Sequence, residues 1–227
     1  MGQVTFDVGI GKNQGGAGST VVTSTITIGN NPNRIAYIFA HFEEGVLGTV
    51  SANINGSTAT VFSSRRSSDG GGEIVCMYLV NPPVGLSTIT VNNSAGGRWG
   101  IAAFVVYNAD TSNPVLSTQS TGGFGGGSSL IISSVGAESS GMSFGVMTRS
   151  GNAAFSTAYG ETTAVYFANY GGDFMSVYRA TTAGDNSTLG CAFANGNQVW
   201  SMQGWLVGSG STATAGGGPS FTVSIWG

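Results

Sequence analysis

Residues Glu73 to Asn92 read EIVCMYLVNPPVGLSTITVN, and the fold class follows from them. The apolar run from Ile74 to Val80 has the length and the β-branched and aromatic content of a buried strand. Asn81-Pro82-Pro83 ends it, because each proline fixes φ and brings no backbone donor to a ladder. After Gly85 the pattern resumes from Ser87 to Val91, with Ile89 and Val91 on one face and threonines on the other. The stretch predicts two strands joined by a tight proline turn.

The rest of the chain repeats this style. In TVVTSTITIG, Val22, Ser24, Ile26 and Ile28 share a face and threonines the other, as in a half-buried strand. In RIAYIFAHFEE, Ile35, Tyr37 and Phe39 lie on one side and Ile38 and Phe42 on the other, which predicts a central strand. Asn55-Gly56 predicts a hairpin between Thr49–Ile54 and Thr58–Ser63. Val4–Ile10 and Trp99–Tyr107 read as strands, and Val115–Thr121 and Leu130–Val135 flank the loop GGFGGG. Met142–Thr148, Ala164–Tyr170, Phe174–Ala180, Thr188–Ala194 and Val199–Val207 continue the series, with no helical periodicity anywhere. The expectation is an all-β chain of a dozen or more strands, a jelly-roll-like antiparallel β-sandwich. A faint internal echo, which chance similarity in a low-complexity β sequence explains equally well, would fit two similar antiparallel units stacked face to face and favours a sandwich over a propeller. GSTATVF (Gly56 to Phe62) resembles GETTAVY (Gly160 to Tyr166), each followed by a strand carrying Tyr78 or Tyr178.

A chain of 227 residues buries roughly 70% of its unfolded surface on folding, enough for one core without staples. We assign residues 1–208 to one sandwich domain and residues 209–227 to a Gly-rich linker and a C-terminal β arm. The linker composition starts at GSGSTATAGGG, Gly208 to Gly218, and predicts a flexible segment. Beyond it, FTVSIWG places Phe221, Val223 and Ile225 on one face, followed by Trp226. Such a strand either returns to its own sheet or adds to a neighbour's open edge, so these four residues are the candidate assembly contacts.

Composition removes several function classes. Charged residues make up 7% of the chain, and the net charge is −3 with seven cationic side chains, too few for a phosphate-binding face. The longest apolar run, Ile101 to Tyr107, falls far short of the roughly 18 residues that cross a bilayer as a helix, so no membrane insertion is expected. The N-terminal residues MGQVTF show no secretory pattern, and Phe6 stands where a myristoylation motif wants Ser or Thr. Cys76 and Cys191 sit in apolar strand patterns and read as buried free thiols. His41, the single histidine, excludes a multi-histidine zinc site and reads as a hydrogen-bonded strand-end residue. Glu138, Glu161, Asp173 and Asp185 could pair as acid and base only through folding. Asp110, Asn113, Asp185 and Asn186 are turn oxygens that explain themselves by turn chemistry as well as by calcium. No catalytic residue, cofactor or metal is expected. Among the tryptophans, Trp99 and Trp205 are the candidates for a glycan platform, framed by the loops Arg65 to Gly72 and Gly122 to Gly127.

The order NRIAYIF, an Asn-Gly hairpin, MYLVNPPVGLSTITV, GIAAFVVYNAD and VWSMQGWLVG resembles jelly-roll β-sandwich modules encoded in bacteriophage and bacterial genomes. The resemblance spans about Thr20 to Gly208, and its most specific piece is YLVNPPVG. It implies a virion-surface or cell-surface module, and the expectation drawn from it is a capsid decoration (cement) or tail subunit assembled in the host cytoplasm. It brings no common catalytic residues. The partners it implies are other capsid or tail proteins and further copies of the same chain, with a host-surface glycan as the alternative.

Overall fold

In a computed structural model of the chain, the structure describes residues 2–16, 18–44, 48–67, 72–124, 129–132, 138–150, 155–157, 161–167, 172–182, 188–193 and 199–210. These form strands and no helix. The first half contributes β1 (Thr5–Gly15), β2 (Val21–Ile28), β3 (Ile35–Glu44), β4 (Val50–Ile54), β5 (Ser57–Thr58), β6 (Thr60–Arg66), β7 (Glu73–Val80), β8 (Gly85–Asn93) and β9 (Arg98–Tyr107). The second contributes β10 (Ser117–Phe124), β11 (Ser129–Ile132), β12 (Met142–Ser150), β13 (Phe155–Thr157), β14 (Thr162–Phe167), β15 (Gly172–Ala180), β16 (Leu189–Phe193) and β17 (Val199–Val207).

Four antiparallel sheets result. Sheet I has the order β1-β9-β3-β7-β6, sheet II β2-β8-β4-β5, sheet III β10-β17-β12-β15-β14 and sheet IV β11-β16-β13. They stack in the order II, I, III, IV, because strand alternation sends successive side chains to opposite layers. On β3, Ala36, Ile38 and Phe42 pack toward sheet II with Ile26 and Ile89. Tyr37 and Phe39 on the same strand pack the other way, against Phe144 and Trp205 of sheet III. Sheet III in turn sends Met147 and Val177 to Leu189 and Cys191 of sheet IV. The chain is therefore an all-β sandwich built twice, with a third core between the copies.

In chain order the second half repeats the first. β10 takes the place of β1, β11 of β2, β12 of β3, β13 of β4, β14 of β6, β15 of β7, β16 of β8 and β17 of β9. Residue registers agree. Tyr37 lies between Tyr78 and Phe104, and Phe144 lies between Tyr178 and Trp205. Phe42 is flanked by Glu73 and Trp99, and Arg149 by Asp173 and Trp200. Even the bulges correspond, between Val61 and Ser63 on β6 and between Thr163 and Val165 on β14. The sequence echo thus finds the right strands, with Tyr78 and Tyr178 as true counterparts. Its alignment of β6 with β14 is two residues out of step, since Thr60 and Thr162, not Thr58 and Thr162, pair with those tyrosines. The two similar units are also whole sandwiches, where the echo was expected to mark the two sheets of one.

Two predicted hairpins are corrected. β7 and β8 exist as expected, but β7 pairs with β3 and β6 in sheet I while β8 pairs with β2 and β4 in sheet II. Asn81 to Val84 is a crossover between layers. β7 is apolar on both faces and belongs in an inner sheet, whereas alternating β8 belongs in an outer one. Asn81 (φ +49°) and Gly85 (φ +94°) make the two sharp bends, and the Asn81 N–H donates to the Arg34 carbonyl at 2.8 Å. At Asn55-Gly56 (φ +47° and +84°) a tight turn does form, but only Ser57 and Thr58 return along β4. The chain then moves to sheet I as β6, where Phe62 packs beside Tyr37 and Tyr78.

β1 runs further than Val4–Ile10, through the glycines to Gly15. A Cβ at Gly11 would stand 2.9 Å from the Thr25 carbonyl oxygen, so bare backbone lets β1 lie over β2. The Asn13 amide donates to the Thr23 carbonyl at 2.6 Å, and the Ser24 hydroxyl to the Lys12 carbonyl at 3.1 Å.

Candidate functional site

The seam between sheets I and III holds a continuous aromatic cluster. Tyr37 meets Trp205 at 5.3 Å between ring centroids, and Phe104 meets Phe144 at 5.0 Å. Phe6 stacks on Tyr178 at 4.5 Å. The Tyr37 hydroxyl donates to the Pro114 carbonyl at 2.5 Å. Burial drives this phenol far above its ordinary range, an effect the neighbouring Trp205 indole partly offsets. Gln203 donates across the seam to the Ile74 carbonyl at 2.7 Å.

His41 belongs to the same seam. Its ring stacks on Phe174 at 4.8 Å and rests over the bare backbone of Gly100, where a methyl would strike Nε2. Burial lowers its pKa to about 3, so it is neutral at ordinary pH. Cys76 and Cys191 are free, buried thiols, and burial pushes the Cys76 thiol well above its usual range.

The glycan platform expected at Trp99 and Trp205 is corrected. Trp205 is fully buried in the seam. Trp99 lies in the core between sheets I and II, stacked on Phe42 at 5.5 Å, with its indole N–H donating to the Ser19 carbonyl at 2.8 Å. Neither offers a face to a sugar ring. Residues 68–71 and 125–128 of the two framing loops lie outside the described residues, as do Phe221, Val223, Ile225 and Trp226.

Several of the described carboxylates are engaged locally. Glu161 accepts the Gly190 N–H at 2.7 Å. Asp110 accepts the Ser112 hydroxyl at 2.5 Å and the N–H groups of Ser112 and Asn113, which hold its pKa below the usual range. Asp185 and Asn186 lie outside the described residues. Glu73 accepts the Ser64 hydroxyl at 3.2 Å, and burial raises its pKa. Among the described residues no three His, Cys, Asp or Glu side chains come together.

What the fold turns outward is more informative. The outer face of sheet II aligns Thr23 with Thr90 and Thr25 with Thr88, beside Asn53 and Ser51 of β4. Val21 and Leu86 extend this face, Leu86 being 75% exposed. No charged side chain lies among these positions. The alternation in TSTIT and STITV was legible from sequence; that the two strands are neighbours was not.

The long edges of the sheets are guarded unequally. β6 carries Arg65, Arg66 and a bulge, and β1 carries Asp7, Lys12 and a bulge. β14 is bulged, and β2 is covered by β1. β10, with the sequence STQSTGGF, has no charge, and its ladder with β17 is unbroken from Ser117 to Phe124. Beside it, Gln119, Ser120, Thr121, Ile131 and Ile132 line a cleft of about 110 Å³ between the edges of sheets III and IV.

The segment assigned to the linker begins later than Gly208. Ser209 bridges to Ala109, the Asp110 N–H donates to the Gly208 carbonyl at 2.9 Å, and the Gly210 N–H to the Asn108 carbonyl at 2.8 Å. Residues 208–210 are buried and clip the end of the second sandwich to the end of the first.

No protein-family model matches this chain. No curated protein matches it significantly.

Proposed function

We propose that the chain is a non-enzymatic structural subunit of a bacteriophage virion, a capsid decoration or tail component that works through contacts between subunits. The observation that carries this reading is the charge-free outer face of sheet II, where hydroxyls and methyls alternate and Val21 and Leu86 stand exposed. Such a face meets another protein without desolvating an ion. Two sandwiches joined through an aromatic core form one block that can present this face rigidly.

The strand order supports the jelly-roll comparison. In the first half, β1-β9-β3-β7 opposite β2-β8-β4-β5 resembles the strand order of an eight-strand jelly roll, with β6 added at one edge, and the second half repeats it among the described residues except for β5. Together with the sequence resemblance to phage-encoded modules, this favours neighbours in a capsid or tail, including copies of the chain itself. Bound neighbours stabilise a shell by mass action. The glycan alternative draws no support from Trp99 or Trp205.

The test is light scattering of the purified full chain beside the variants Leu86→Glu and Thr88→Glu. Association that weakens at least tenfold in both variants, with unchanged circular dichroism, supports the reading. A chain that stays monomeric at high micromolar concentration and is retained by immobilised glycans overturns it.

A further inference from the structure

We propose that the outer edge of β10 is the acceptor for the C-terminal segment Phe221 to Trp226 of a second copy of the chain, which adds to sheet III as an antiparallel strand. The inference rests on the assembly reading above and adds a second contact to the face of sheet II.

Three observations converge on this edge. First, an open strand edge is a template for another chain, and proteins normally block it with charge, proline, a bulge or a cover. Among the described residues, every other long edge has such a device and β10 has none. Second, the duplicated architecture supplies an internal control. In the first sandwich, β1 closes over β2 through Asn13 and Ser24, whereas the equivalent place in the second is the cleft beside β10. Ile131, 43% exposed, lines that cleft and awaits an apolar cover. Third, the chain contains an unassigned segment of matching chemistry. In FTVSIW the face formed by Phe221, Val223 and Ile225 suits the cleft, and Thr222 and Ser224 suit the outside.

Chain direction decides between a chain's own tail and a neighbour's. β17 runs antiparallel to β10, and Gly210 lies four residues past Leu206, the partner of Ser117. The chain thus leaves beyond the start of β10, held there by Asn108 and Ala109. A tail returning directly would run parallel to β10, while every described pairing is antiparallel. An antiparallel return of Phe221 to Trp226 would have to start level with Gly122 or beyond, at least about 30 Å back at roughly 3.3 Å per residue. The residues between Gly210 and Phe221 reach that far only when strongly stretched, and as a Gly-rich coil they span roughly 17–20 Å. A neighbour's tail meets no such limit.

The test co-expresses two variants of the full chain, Ser120→Cys and a tagged Ser224→Cys, and treats them with a short thiol cross-linker. Cys76 and Cys191 are buried and stay silent. The expected result is a linked pair containing one chain of each kind, together with at least tenfold weaker association of a Ser120→Lys variant. In a further variant that carries both Ser120→Cys and Ser224→Cys, linkage only within one chain would place the tail in its own sheet and overturn the proposal. So would the absence of linkage. If light scattering still shows an oligomer in either case, the assembly reading stands without this contact; a monomer removes both.

Discussion

Tyr37 and Phe144 occupy equivalent positions in the two halves of the chain, and their rings meet 5.8 Å apart where the inner sheets face each other. Around them the contacts come in matched pairs. Tyr37 with Trp205, at 5.3 Å, is the counterpart of Phe104 with Phe144, at 5.0 Å. This is the geometry of an isologous dimer interface, in which a patch meets its own copy, realised within one polypeptide. The arrangement makes the seam the common core of both sandwiches and leaves the outer sheets for other contacts.

Because the seam belongs to both halves, Phe144→Ala should destabilise the whole chain by about 3–5 kcal/mol, the usual cost of emptying a large aromatic site. Urea unfolding followed by tryptophan fluorescence and by circular dichroism should show one shared transition. Separate transitions for the two halves would mean that the seam does not couple them.

His41 predicts sensitivity to mild acid. Its folded pKa of about 3 lies below the ordinary 6.5, so the unfolded chain binds the proton more readily. Stability from this group is complete above pH 6.5 and is lost as pH falls toward 3, by about 2 kcal/mol at pH 5. The variant His41→Phe should flatten the dependence of the urea midpoint between pH 7 and 5. An unchanged slope would refute the assignment.

At Gly210 an added methyl would run into the Ala109 carbonyl oxygen. Gly210→Ala should therefore open the clip formed by residues 208–210 at a cost of about 1–3 kcal/mol. Hydrogen exchange should quicken at the amides of Asp110 and Gly210 and stay unchanged in β3.

Neither thiol should react with an aromatic disulfide reagent in the native chain, because both are buried and burial disfavours the Cys76 thiolate. In denaturant both should titrate. Rapid native labelling of either would show an opening of the core around it.

Replacing Asn81 to Gly85 with a two-residue Asn-Gly turn should abolish folding rather than tighten a hairpin. The strands on either side lie in different layers, and packed sheets stand about 10 Å apart. Retained β circular dichroism in that variant would contradict the crossover.

Local chemistry determined the strands, and it did so from sequence alone. Proline, Asn-Gly and the two-residue alternation act over a few neighbouring residues, so β2, β3, β7, β8, β9 and β17 were legible, as was the burial of Cys76 and Cys191. The doubly apolar pattern of β3 also announced a central strand. Sheet membership was not legible, because pairing partners are chosen by long-range packing. The same NPPVG residues suit a hairpin or a crossover, and only the position of β7 between two layers selects the crossover. Nor did pattern distinguish a tryptophan on a surface from one in a core: Trp205 is buried because a second sandwich, which Tyr37 and Phe104 share, covers it. The exposed threonine face and the unguarded edge of β10 likewise exist only once strands distant in sequence have become neighbours.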